Sequence, residues 1–114
     1  MLEISVLEQS SRPSTRAVKV LEVVGEIDVS TADRLDAAVS ELGALSSPFV
    51  IDLCAVTFID SSGIRVLLRN HDNGGFVIVR SAIGNVARVL QIVGAEKVLD
   101  IFDDRETAVT ALAD

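Results

Sequence analysis

Apolar residues recur along this chain with two different periods. Residues 2–8 set Leu2, Ile4 and Val6 against Glu3, Ser5 and Leu7, an alternation that predicts a half-buried strand. Residues 17–24 carry Val18 and Val20, then Leu21, Val23 and Val24, and read as a second strand. The polar stretch 9–16 between them contains Pro13 and is too short for a helical crossover. The two strands are therefore expected to pair as an antiparallel hairpin. Gly25 to Asp28 read as the loop that follows.

From Ser30 the period lengthens. Ser30 and Asp33 have the spacing of a capping box, and Ala32, Leu35, Val39 and Leu42 fall on one face of a helix over 31–44. Pro48 precedes an apolar run over 49–54, a third strand. After Ser61 a second helix sets Ile64, Leu67, Leu68 and His71 at i, i+3, i+4 and i+7, and Asn73-Gly74-Gly75 ends it. A fourth strand is predicted over 76–80. Gly84 opens a third helix with Val86, Val89, Leu90 and Val93 inward and Gly94 just past its end. Residues 98–102 read as a short fifth strand. Asp103 and Glu106 repeat the capping-box spacing before a helix over 104–113 that buries Ala108, Ala111 and Leu112.

Strands alternating with helices imply an α/β fold. The expected architecture is a mixed, mainly parallel sheet of about five strands, with an antiparallel N-terminal hairpin, four helices and right-handed crossovers. One domain over residues 1–114 is expected, since the chain has 114 residues. Loops 25–30 and 55–62 would open side by side at the C-terminal ends of strands 2 and 3, where such folds place their sites.

Composition narrows the function. The net charge is −7, with only two lysines and scattered arginines. Nucleic acid and acidic membranes need clustered cations, so neither is expected as a partner; a protein with a basic patch suits this surface better. Cys54, the one cysteine, excludes an internal disulfide and reads as a buried, inert thiol. No apolar run approaches the ~18 residues of a membrane span, and the start of the chain, with Glu3, does not resemble a signal peptide. A cytoplasmic location follows as an expectation.

Catalysis finds little support. Ser61 at a strand-to-helix junction resembles a nucleophile elbow, but Gly-x-Ser-x-Gly is absent. The only histidine, His71, would stand about 15 Å away along one helix, beyond hydrogen-bond reach. One His and one Cys do not make a transition-metal site. Asp28 and Asp60 would offer oxygens to Mg²⁺, but the simpler reading is a loop carboxylate and an N-cap. No phosphate-binding glycine motif is present. No catalytic residue, cofactor or metal is expected, and the chain is not read as an enzyme. A serine at a helix N-terminus does suit an anion, including a phosphate carried by the serine itself.

The segment Phe58-Ile59-Asp60-Ser61-Ser62-Gly63-Ile64 resembles the signature of STAS-domain anti-sigma factor antagonists. Gly25-Glu26-Ile27-Asp28 resembles that family's Gly-Glu-Leu-Asp, and Val50-Ile51-Asp52-Leu53 its strand before the signature. The resemblance spans essentially the whole chain. It implies a small bacterial binding switch whose unphosphorylated form binds an anti-sigma factor and frees a sigma factor. The anti-sigma factor is usually also a serine kinase that modifies the first Ser after the Asp, here Ser61, and a serine phosphatase reverses the modification. STAS domains also resemble accessory subunits of lipid transporters and tails of anion transporters, and small-molecule-sensing modules; the serine at 61 favours the antagonist. The expected partner surface comprises Asp28, Asp60, Ser61, Ser62, Gly63 and Arg65, all exposed, with Arg65 facing outward because Ile64, Leu67 and Leu68 fix the buried face.

Overall fold

The computed structural model describes residues 1–12, 16–72 and 75–113. Its elements are β1 (Leu2–Gln9), β2 (Val18–Ile27), α1 (Ala32–Gly43), β3 (Phe49–Ile59), α2 (Ser61–Arg69), β4 (Phe76–Val79), α3 (Asn85–Ile92), a single 3₁₀ turn (Ala95–Lys97), β5 (Ile101–Phe102) and α4 (Arg105–Ala113). The strands lie in the order β1-β2-β3-β4-β5. β1 runs antiparallel to β2, with Leu2 opposite Gly25 and Gln9 opposite Val18; the other pairs are parallel. The mixed sheet, hairpin and four helices are those expected from the sequence.

Side chains on successive strand residues point to opposite faces, and each face has its own core. On one, α1, α2 and α3 cover Leu21, Val23, Ile51, Leu53 and Ile78. On the other, α4 alone covers Val18, Val20, Val50, Val77 and Val79 through Ala108 and Val109. Leu2 and Ile4 join the first core and Leu7 the second, while Val6 is left exposed.

Two strands run further than their sequences suggest. β2 continues through Gly25 to Ile27, and β3 through Val56 to Ile59, pairing Glu26 with Phe58 and Ile27 with Ile59. Two register shifts, between Glu22 and Val24 and between Gly25 and Glu26, absorb the misfit. Gly25 has φ +113°, and a Cβ there would lie 2.1 Å from the Met1 carbonyl oxygen, so only glycine fits. The expected loops 25–30 and 55–62 thus shrink to turns at 28–31 and at Asp60.

Local chemistry explains the other differences. The Ser30/Asp33 capping box does not form; Thr31 occupies the N-cap of α1 without capping through its side chain. α2 buries Gly63, Ile64, Val66 and Leu67 and leaves Leu68 40% exposed. It ends at Arg69, so His71 lies beyond it; Asn73 and Gly74, expected to stop it, lie outside the described residues. So do residues 13–15 of the 9–16 loop. Asn70 is buried and knits α2 to α1, donating to the Asp36 carboxylate and the Val66 carbonyl at 2.8 Å each and accepting from Ser40 at 3.1 Å. Gly94 is left-handed (φ 73°) as expected, but Val98 and Leu99 then donate back to the Ala95 carbonyl, which leaves only Ile101 and Phe102 for β5. Val93 is exposed. Asp104, not Asp103, caps α4, accepting from the Thr107 amide and hydroxyl at 2.8 and 2.9 Å; Asp103 pairs instead with Arg80 at 2.5 Å. α4 buries Ala108 and Val109, with Ala111 exposed and Leu112 half-buried.

Candidate functional site

β3 pairs with β4 only through Asp52, then carries on beside β2 to Ile59. This overhang lifts Asp60 and the head of α2 clear of the rest of the sheet. The Asp60 amide donates to the Ile27 carbonyl at 3.1 Å, so the β3–α2 junction is stitched to the end of β2. The Asp60 carboxylate accepts from the Ser62 amide at 2.8 Å, which makes Asp60 the N-cap of α2. Ser61 follows, exposed, at the first helical position.

Gly63 holds this head down. A Cβ there would come within 2.5 Å of Ile27 Cγ2 and 2.7 Å of Ile59 Cγ1. The expectation that Gly63 is exposed is therefore corrected: it is buried, and it lets the first turn of α2 rest on the ends of both strands. The other expected residues are accessible. Ser61 and Arg65 are exposed, while Asp28, Asp60 and Ser62 are partly so.

The neighbouring turn is built as tightly. The Thr31 hydroxyl donates to the Glu26 carbonyl at 3.0 Å and accepts from the Asp28 amide at 2.9 Å. The Asp28 carboxylate accepts from the Ser30 hydroxyl at 2.6 Å and the Ser30 amide at 2.9 Å. The hydroxyl bond above all holds the Asp28 pKa below its ordinary 3.8, so this carboxylate is charged at neutral pH. Asp28 is thus engaged in ordering its own turn.

Sequence reasoning missed a third segment. Residues 80–84 rise from the end of β4, and Asn85 accepts from the Ile59 amide at 2.9 Å through its side chain. The start of α3 is thereby tied to the end of β3, two residues before Ser61. On the flanking turns Val29 is 80% and Ile83 82% exposed. Val29, apolar between Asp28 and Ser30, was a signal in the sequence; nothing there marked Asn85 as a partner of Ile59.

Behind the site, on the α4 face, Arg105 bridges two carboxylates that are paired neighbours on β2 and β3, Glu22 and Asp52. Its guanidinium lies 2.7 Å from Asp52 and also bonds Glu22. Cys54, expected to be buried, stands exposed beside them; partial desolvation and the Asp52 carboxylate push its thiol up to about 11, so it remains protonated at neutral pH. Among the described residues no group of three or more His, Cys, Asp or Glu could hold a metal, and no helix is long and apolar enough to cross a membrane.

The arrangement presents two adjacent serines, Ser61 exposed and Ser62 partly so, on a capped helix start beside Asp60. The STAS domain family model matches residues 9–108. The chain belongs to the STAS domain family. It is similar to the anti-sigma-F factor antagonist RsfB of Mycobacterium tuberculosis, with 32% identity over 101 residues that cover 83% of this chain and 81% of that protein. An anti-sigma F factor antagonist of Paenibacillus polymyxa is 30% identical over 105 residues, 85% of this chain and 88% of that one. The crystal structure of an anti-sigma factor antagonist from Mycobacterium paratuberculosis superposes with a TM-score of 0.80 at 30% identity, covering 98% of this chain and 96% of that one.

Proposed function

We propose that this chain, as one STAS domain over 1–114, is a cytoplasmic anti-sigma factor antagonist without catalytic activity of its own. Its unphosphorylated form binds an anti-sigma factor that is also a serine kinase, and a sigma factor is freed. Phosphorylation of Ser61 ends that binding, and a serine phosphatase restores it. The observation that carries the reading is the exposed Ser61 hydroxyl on a helix start fixed by Asp60 and Gly63, in a chain whose relatives at 30–32% identity are named for this activity.

The physical chemistry suits a switch. Phosphate adds about −1.5 to −2 charge at neutral pH. A helix N-terminus tolerates a negative group, and the Asp60 cap and the Asn85 tie do not involve the Ser61 hydroxyl. The fold is spared while the surface, already carrying Asp60 and Asp28, turns hostile to an acidic or closely packed partner.

The test is incubation with the host's anti-sigma kinases and ATP, followed by mass mapping. Phosphate on Ser61 is expected. Phosphate on Ser62, with Ser61→Ala still fully modified, would sink the assignment, and the absence of both modification and binding would sink the function.

A further inference from the structure

Ser61 and Arg65 are four residues apart on α2, and both are exposed. Helical side chains lean toward the N-terminus of their helix, so a residue at i+4 reaches back over the residue at i. Arg65 therefore leans toward Ser61. Its guanidinium is uncommitted among the described residues, whereas Arg69, one turn on, is held by Asp36 at 2.8 Å, and Arg80 and Arg105 are engaged by carboxylates.

We propose that Arg65 receives the phosphate of Ser61: on modification its guanidinium closes onto the phosphate oxygens and is withdrawn from the partner surface. The proposal rests on the modification of Ser61 proposed above. A guanidinium presents a planar fork of donors that matches phosphate oxygens with two parallel hydrogen bonds. The pair adds a second action to the switch. The partner meets a new anion and also loses a cation that had been free to contact it. Part of the added charge is compensated within α2 itself, next to Asp60. Other charged side chains on adjoining elements include Glu26 at the end of β2, Asp28 on the β2–α1 turn, Asp33, Arg34, Asp36 and Glu41 in α1, Arg80 after β4 and Arg88 in α3. None shares the one-turn spacing with Ser61.

Phosphoserine installed at position 61 during translation provides a test that needs no kinase. The second pKa of the phosphate is read by phosphorus NMR in otherwise native protein and in Arg65→Gln, Arg65→Lys and Arg69→Gln. A unit charge about 5 Å away through water shifts a pKa by about half a unit. The phosphate pKa is expected to rise by about that much in Arg65→Gln, to recover in part in Arg65→Lys, and to stay put in Arg69→Gln. The difference should shrink in roughly 1 M salt. Values for Arg65→Gln that match the native protein within about 0.1 unit, or that match Arg69→Gln, would overturn the pairing. Failure of every kinase to modify Ser61 would instead strike the proposed function and leave this result intact.

Discussion

Gly63 and Ile27 meet with no room for a methyl group between them, since a Cβ on the glycine would lie 2.5 Å from Cγ2 of the isoleucine. In an unhindered helix Gly→Ala gains about 1 kcal/mol. Here overpacking costs about 1–3 kcal/mol, and Ile59 blocks the other side. Gly63→Ala is expected to destabilise the domain by about 1–2 kcal/mol, a fall of several degrees in melting temperature. An unchanged or higher melting temperature would show that α2 can lift off the strands at no cost.

Ser61→Asp should separate binding from folding. One carboxylate at a helix N-terminus is favourable by about 0.3–1 kcal/mol, so melting should hold within a few degrees, while affinity for the anti-sigma factor falls by about tenfold. Calorimetric titration beside thermal melting decides; a large loss of stability would make the effect structural.

Val29 follows the β2 end that bonds Asp60, Ile83 stands two residues before the Asn85 that bonds Ile59, and both apolar side chains are at least 80% exposed. Where an exposed side chain becomes a buried anchor of an interface, its truncation costs more than about 1 kcal/mol. Ile83→Ser and Val29→Ser are each expected to weaken the complex about tenfold with melting unchanged. Native affinity in both would place the interface away from the β4–α3 turn.

Among the described residues Arg105 is the cation paired with Asp52, whose side chain is only 8% exposed. Removing one partner of a fully buried pair costs about 3–5 kcal/mol; Arg105 and Glu22 are partly solvated, so Arg105→Met should cost about 2 kcal/mol. Asp52→Asn in the same chain should recover part of that loss. Denaturant titration of the two single variants and the double variant is the check, and an additive result would mean the charges are independent.

The Asp28 pKa is depressed in the folded state, chiefly by the Ser30 hydroxyl. The stability linked to it is therefore present above the ordinary value of 3.8 and is lost as pH falls through the lower, folded value. Native protein should be more stable than Asp28→Asn at pH 6, and the gap should close as pH falls below the ordinary carboxylate value of 3.8. A gap that is constant with pH would detach it from the carboxylate.

The order of elements and the capped serine were legible because they rest on local signals: alternation, amphipathic spacing and an Asp before two serines. The length of β3 was not. Ala55, Thr57 and Phe58 look like turn residues by exposure, yet Ala55 and Phe58 pair with Val24 and Glu26 of β2, and Thr57 is the extra residue at the register shift between them. The face of α2 was set by an absence: the missing Cβ of Gly63 lets the helix rotate so that Val66 turns inward and Leu68 outward. Bonds such as Asn85 to Ile59 join residues 26 apart, and no periodicity announces them.

The strand order has a further effect on how this protein can fail. Successive crossovers place α1, α2 and α3 on one face, so among the described helices α4 alone covers the strip of valines on the other. It does this with small residues, Ala108 and Val109, and an ionic clasp at Arg105. A substitution that loosens α4 leaves the Ser61 surface standing while it bares a flat, β-branched face of the kind that draws chains together. Such variants should drop out of solution with the head of α2 still formed, so that solubility rather than affinity limits how far the last helix can change.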